Sequence, residues 1–400
     1  MSHERRVIAF INAAHFIDHM FMLIFPAAVL AIGPALGRSY GEMLALSLGG
    51  FIAFGAGSIP AGWLGDLWSR RNMMAVFFIG IGAATALTGF ASTPLAFVLA
   101  LTAIGLFASI YHPVGTAMLT AQAAQVGREI GVNGVWGNLG VASAAMVTGA
   151  CAQLIGWRAA FVAPGLLAIA CGVLFLALVP DRPAPQRAAS RADGRLSPST
   201  MVRAFAVLTL VTVAGGIVFN ATTVSMPKPF AERLGGLAHS PLGIGVAVFA
   251  VFALGSVAQL IVGRLIDRHT LRRVFLPLSV LQAPCLLLAS IASDWALLAA
   301  AVLLMFAVFG QVTINDGMVA KYTSEAWRAR AYAIRYLVSF GASACSVPLV
   351  AFLHDRGGGF GATFAVLAGF GLLVFLGALA FPNRPDEIAP LTESRAVPAE

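Results

Sequence analysis

Apolar residues in this chain come in long continuous runs, near positions 7–36, 42–65, 73–91, 94–121, 130–154, 159–180, 203–226, 241–265, 274–292, 295–319, 329–353 and 361–381. A helix needs ~20 apolar residues to cross the hydrocarbon layer of a bilayer. The pattern therefore predicts an all-α membrane protein with about twelve transmembrane helices. The runs do not alternate apolar with polar positions, which argues against a β-barrel. Met1 to Arg6 followed by an apolar run resembles a leader peptide, but no small-x-small cleavage site follows, so an uncleaved first span is expected. Between the sixth and seventh runs, Asp181–Val202 holds Arg182, Arg187, Arg191 and Arg195 with few large apolar side chains. It reads as a flexible linker. The expected organisation is an N-terminal six-helix bundle at 1–180, a cytoplasmic linker at 181–202, a C-terminal six-helix bundle at 203–381 and a cytoplasmic tail at 382–400.

Composition sharpens this picture. The 400 residues are 59% hydrophobic and 10% charged, with a mean hydropathy of +0.88, against ~25% charged for a typical soluble domain. That leaves no room for a large soluble catalytic domain. The net charge of +8 does not form one patch, so nucleic acid is not an expected partner. The basic residues instead gather at the ends of runs. With the amino terminus inside, only Arg38, Arg158, Lys228, Arg233 and Arg356 fall on the outer side, and Arg335 lies within a span. This bias puts both termini in the cytoplasm of a multi-pass cell-membrane protein, with a bacterial inner membrane the expected location. The four cysteines, Cys151, Cys171, Cys285 and Cys345, lie inside apolar runs and read as packing residues.

The chain also repeats itself. Gly62-Trp-Leu-Gly-Asp66-Leu-Trp-Ser-Arg70-Arg71 closes the second run, and Gly263-Arg-Leu-Ile-Asp267-Arg268 closes the eighth. Both Gly to Gly and Asp to Asp are separated by 201 residues. Two related halves explain that offset. These loops resemble the Gly-x-x-x-Asp-Arg-x-Gly-Arg-Arg signature of the major facilitator superfamily, with Leu67 and Ser69 at two signature positions. Gly156-Trp157-Arg158-Ala-Ala-Phe161 is similar to a second corner of that family. A narrower likeness, to the fosmidomycin-resistance branch, rests on His15-x-x-Asp18, Pro26, Tyr111-His112-Pro113 and Gly137-Asn138-x-Gly140. Val114 stands where that branch often has an acidic residue. The resemblance implies a secondary transporter of small organic molecules that works by alternating access, with Asp66, Arg70, Arg71, Asp267 and Arg268 at its gate.

Several polar residues lie deep within runs. On the first span Asn12, His15, Asp18, His19, Met22 and Pro26 share an arc of ~120° at 100° per residue. His15 lies ~13 Å along the helix from Arg6. Charges at that depth cost ~3 kcal/mol or more when they face lipid. Asp18, His15 and His19 therefore read either as a proton-coupling stripe or as a hydrogen-bonded structural cluster. Candidate solute contacts are Asn12, His112, Trp136, Asn138, Asn220, Gln311, Asn315, Arg335 and Asp316. Arg335 and Asp316 lie at matching depth, so they read as an ion pair or as an anion site. Gly134, Gly137 and Gly140 read as a close-packing face, and Pro227-Lys228-Pro229 as the end of the seventh span.

No catalytic constellation, cofactor motif or phosphate loop is evident, and an enzyme is not expected. The i, i+4 pair His15 and His19 has ligand spacing, but no third ligand is evident, so no metal site is expected. The expectation is a monomeric secondary transporter of a small organic solute in the lipid bilayer, coupled to protons, with efflux favoured over uptake or facilitation. A transport-inactive sensor or scaffold is the alternative of another class.

Overall fold

The computed structural model describes residues 2–181, 198–266, 268–322 and 325–382. Most of the expected linker, the tail beyond Pro382, and Asp267 lie outside the described residues. The first half contains α1 (His3–Leu36), α2 (Tyr40–Ala45), α3 (Leu48–Leu67), α4 (Arg70–Thr88), α5 (Pro94–Ala108), a π-helical turn (Tyr111–Gly115), α6 (Thr116–Gln122), α7 (Val126–Leu154) and α8 (Ala159–Leu178). The second contains α9 (Pro198–Ser225), α10 (Pro227–Arg233), α11 (Pro241–Ile266), α12 (Leu271–Ile291), α13 (Asp294–Tyr322), α14 (Glu325–Arg356) and α15 (Gly359–Ala380). Among the described residues, twelve stretches are long and apolar enough to cross a membrane, with α2–α3 and α5–α6 each counting as one.

Local chemistry sets the boundaries. The Ser2 side chain caps α1 by accepting from the Arg5 amide, and Gly37, at φ 62°, closes that helix in the left-handed region. Ser39 and Glu42 form a reciprocal capping box on α2. Three features differ from the sequence expectation. The second span breaks at Leu46–Ser47. The fourth span widens into the π turn around Pro113, which has no amide hydrogen to continue the α ladder. Pro227, expected only to end the seventh span, opens α10, because the first position of a helix needs no amide donor.

The architecture is two six-helix bundles, and their repeat is visible in the packing. In the first half α1 packs on α7, α3 on α5 and α4 on α8. The second repeats this as α9 on α14, α11 on α13 and α12 on α15. Between halves, α7 meets α11 while α2 and α3 meet α14, and these contacts exchange under the same correspondence. That is the signature of a pseudo-two-fold axis between the bundles, and it places Gly62 and Gly263 near the ends of the equivalent helices α3 and α11.

Among the described residues, the polar contacts between the halves gather at one end. Ser39 Oγ donates to the Asp355 carboxylate, and the Gly41 amide donates to its other oxygen at 3.1 Å. Nearby, the Leu242 amide donates to Gln153 Oε1 at 3.2 Å. Lys228 Nζ lies 5.9 Å from the centre of the Tyr40 ring, which also stands 4.8 Å from the His354 ring. Lys228 and His354 both engage Glu232, at 3.1 and 3.5 Å. Glu232 lies outside the spans, and the His354 hydrogen bond, helped by Lys228, holds its carboxyl below the usual range. At the opposite end Asp66 pairs with Arg70 of its own half at 2.7 Å.

Candidate functional site

Where the halves meet in mid-span, α1, the π turn and α7 bring polar groups together. Asn133 is the hub. Its side-chain oxygen accepts from Tyr111 Oη at 2.8 Å, and its Nδ2 donates to Asn12 Oδ1 at 2.9 Å. Its backbone carbonyl lies 2.8 Å from His15 Nδ1. A carbonyl can only accept, so His15 carries its proton on Nδ1 and leaves Nε2 bare. His19 Nε2 stands 3.0 Å from that bare nitrogen and donates to it.

Glycine makes this approach possible. A Cβ on Gly137 would sit 2.5 Å from His15 Nε2, and one on Gly140 would collide with the Phe16 carbonyl. Gly137 and Gly140 therefore let α7 admit α1 closely, and the imidazole fills the groove, whereas a Cβ on Gly134 would face Gln259 of α11 at 3.4 Å. Tyr111 stacks on His15 with ring centres 4.7 Å apart.

The π turn delivers His112 to the same place. Its ring lies 5.6 Å from both the His15 and His19 rings, and its Nε2 lies 3.6 Å from Asp18 Oδ2. Asp18 is fully buried, and neither carboxylate oxygen has a hydrogen-bond partner among the described residues. The three imidazoles each offer a ring nitrogen within 4.8 Å of the others. His112 is a third nitrogen group beside the i, i+4 pair that sequence spacing did not reveal. Phe340 of the second half closes on the cluster, with its ring 5.5 Å from His112 and 4.6 Å from Phe54.

Of the other expected residues, Asn12 joins the cluster through Asn133. Trp136 is half-exposed and meets Phe16 edge-on. Asn138 is buried, with Nδ2 lacking a partner among the described residues. In the second half, Arg335 and Asp316 are ion-paired, with Arg335 nearly buried and Asp316 open on one side. Asn315 is buried on α13.

Two expectations shift. Gln311 accepts from Gln282 at 2.7 Å and donates to the Val211 carbonyl at 3.0 Å, so both ends of its amide join helices instead of facing a cavity. Asn220 likewise ties α9 to α14 through the Ser343 carbonyl and Ser346. At the expected gate, Arg71 binds the Val179 carbonyl at 2.8 Å and Arg268 is exposed. Asn133, Gln282 and the Asp355 contacts were not singled out from sequence. Asn133 alone carried a signal there, as an isolated amide near the start of a run.

Comparison with known proteins adds to this geometry. The sequence profile described as Major Facilitator Superfamily matches residues 9–236 and 208–400. The membrane sensor protein UhpC of Salmonella typhimurium is 30% identical over 136 residues, which is 33% of this chain and 30% of that protein. The match thus spans less than a third of that relative's length. Among solved structures, a bacterial homologue of the human lysosomal transporter Spinster, in an inward-facing, occupied conformation, aligns with a TM-score of 0.77 at 14% identity, covering 95% of this chain and 96% of that one. The nucleoside transporter NupG aligns with a TM-score of 0.71 at 13% identity, covering 95% and 100%.

Proposed function

The chain belongs to the Major Facilitator Superfamily, and on that premise we propose that it is a secondary transporter carrying a small organic solute across the membrane by alternating access. The observation that carries this reading is the polar constellation held in mid-span at the joint between two equivalent bundles. Such groups are costly in hydrocarbon and mark a pathway. The solute contacts Trp136, Asn138 and the Arg335–Asp316 pair. Asp18, with its unbonded carboxylate beside three imidazoles, couples the movement to protons, and export is the favoured direction. The basic residues orient both termini towards the cytoplasm of a bacterial cell membrane. That makes the Asp355 end the outer one and the conformation inward-facing. In the opposite state Asp66 exchanges Arg70 for a partner in the second half. The protein works without catalysis and as a monomer.

A second reading has its own support, the 30% identity to a membrane sensor over part of the chain. One experiment separates them. A thermal-shift screen of small organic solutes on the purified chain identifies ligands, and counterflow in liposomes then measures their passage. Flux accelerated by a pH gradient and uncoupled by Asp18→Asn supports the proton-linked transporter. If His15→Gln or His19→Gln uncouples instead, the histidine carries the proton. Wild-type flux indifferent to the gradient leaves a facilitator. A ligand that stabilises the chain but never crosses favours the sensor.

A further inference from the structure

We infer that His15, His19 and His112 form a binding site for a divalent transition-metal ion of the zinc class, with Asp18 completing the ligand set. Metal binding is measured as equilibrium occupancy, independently of transport. With the ion bound, Asp18 and the imidazoles no longer take up protons, so the proton coupling proposed above belongs to the metal-free chain.

Four observations carry it. The first is convergence. Three imidazoles from two separate spans each place a nitrogen within 4.8 Å of the others. In tetrahedral zinc sites the Zn–N distance is ~2.0–2.1 Å, so neighbouring ligand nitrogens stand about 3.4 Å apart. His15 Nε2 and His19 Nε2, 3.0 Å apart, are already near that spacing. On binding, His19 carries its proton on Nδ1 instead, so that the ion replaces the hydrogen bond between the two nitrogens, and the His112 ring turns to join them.

The second is orientation. His15 uses Nδ1 to hold the Asn133 carbonyl, so Nε2 points into the cluster. A ligating histidine is ordinarily fixed in this way, by its other nitrogen. The carbonyl in turn is fixed in α7, and Tyr111 supports the ring by stacking.

The third is charge. Asp18 is fully buried and no described residue donates a hydrogen bond to its carboxylate. A buried carboxylate is strongly unfavourable without a compensating charge. A dication among the imidazoles supplies it, and the movement required is small, because Asp18 Oδ2 is already 3.6 Å from His112 Nε2.

The fourth is selectivity. Three nitrogens and one oxygen suit zinc, cobalt, nickel or copper, whereas magnesium and calcium require oxygen-rich shells. Both contributing spans belong to one half, so the ligand set persists when the halves move relative to each other. The ion staples α1 to the π turn.

The test uses the full chain in detergent, stripped with chelator and titrated with Zn2+ and separately with Co2+. One ion per chain is expected, together with a raised unfolding temperature in Zn2+ that Mg2+ does not reproduce. Bound Co2+ should give the intense visible bands of four-coordinate geometry. His19→Gln and His112→Gln, which remove ligands outright, should each weaken binding by at least the ~10–100-fold that losing an outer-shell partner costs, while His239→Gln, at an exposed position, should leave it unchanged. Absence of stoichiometric binding by the wild type overturns the proposal. So does binding that survives both cluster variants. Should either variant fail to fold, the wild-type Co2+ spectrum decides, since weak six-coordinate bands refute the site and intense four-coordinate bands support it.

Discussion

Asp355 is one carboxylate at the end of α14 that receives two donors from the other half, Ser39 Oγ and the Gly41 amide. Replacing it with alanine removes both acceptors. A hydrogen bond to a charged group contributes ~1.5–3 kcal/mol. The Asp355 side chain is 25% exposed, and solvent screening brings each bond to about 1 kcal/mol. The loss is therefore about 2 kcal/mol, or ~30-fold in the equilibrium between closed and open at this end. The bond between Asp355 and His354 is also lost, but it lies within α14 and cancels between the two states. An open population of about one in a hundred would rise to about one in four. Spin labels at Arg38→Cys and Leu237→Cys, on opposite halves at this end, measure the change as growth of a longer-distance population, in a background without the four native cysteines. Gly41→Ala should shift it the same way, because the new methyl would land on the Asp355 carboxylate. Glu42→Gln should not, because with Arg38 replaced by the label the remaining contact of the Glu42 side chain is with Ser39 in its own half. An Asp355→Ala distribution that matches the wild type refutes the reasoning.

Three further outcomes are expected. Asp316→Asn should destabilise the protein by ~3 kcal/mol, because it removes the charge that faces a nearly buried guanidinium, whereas Arg335→Gln, which leaves the more exposed carboxylate of the pair, should cost less. Equal melting-temperature losses would contradict that asymmetry, and the double neutral variant should be milder than Asp316→Asn alone. Gly137→Ala should expel the His15 ring from its groove and lower thermal stability by ~1–3 kcal/mol, while Gly131→Ala, with open space at its Cβ, should not. Glu232 has its carboxyl held below its ordinary value of 4.5 by His354 and Lys228, so its contribution is complete above that value and disappears as pH falls through the lower one. Unfolding temperatures measured from pH 6 down to 3 should therefore fall more steeply for the wild type than for Glu232→Gln.

The helices were legible in the sequence because hydrocarbon imposes one demand on every span, and twelve long apolar runs meet it. The repeat was legible because two loops kept Gly and Asp at one offset. Depth was also legible: Arg335 and Asp316 were matched by counting inward from the same face, and they are paired. Direction around a helix was not. Gln311 looked like a cavity residue until its partner Gln282, 29 positions away, was placed beside it. His112 joins His15 and His19 only because a π turn, invisible to a 3.6-residue period, sets its direction. The Ser39–Asp355 contact joins residues 316 apart, and no local pattern carries that information.

The π turn at Tyr111–Gly115 has a consequence for insertions and deletions. A wide turn holds one residue more than an α turn, so it is equivalent to a single-residue insertion absorbed without breaking the helix. Deleting one residue there would restore ordinary winding and keep the span apolar and long enough to enter the bilayer. It would also shift everything on one side of the deletion by ~1.5 Å and rotate it by ~100°. His112 would then turn away from Asp18 while α6 still followed α5. Such a frame-preserving deletion should yield a protein that inserts and folds yet has lost its central polar cluster, and so separates the requirements of biogenesis from those of the site in one allele.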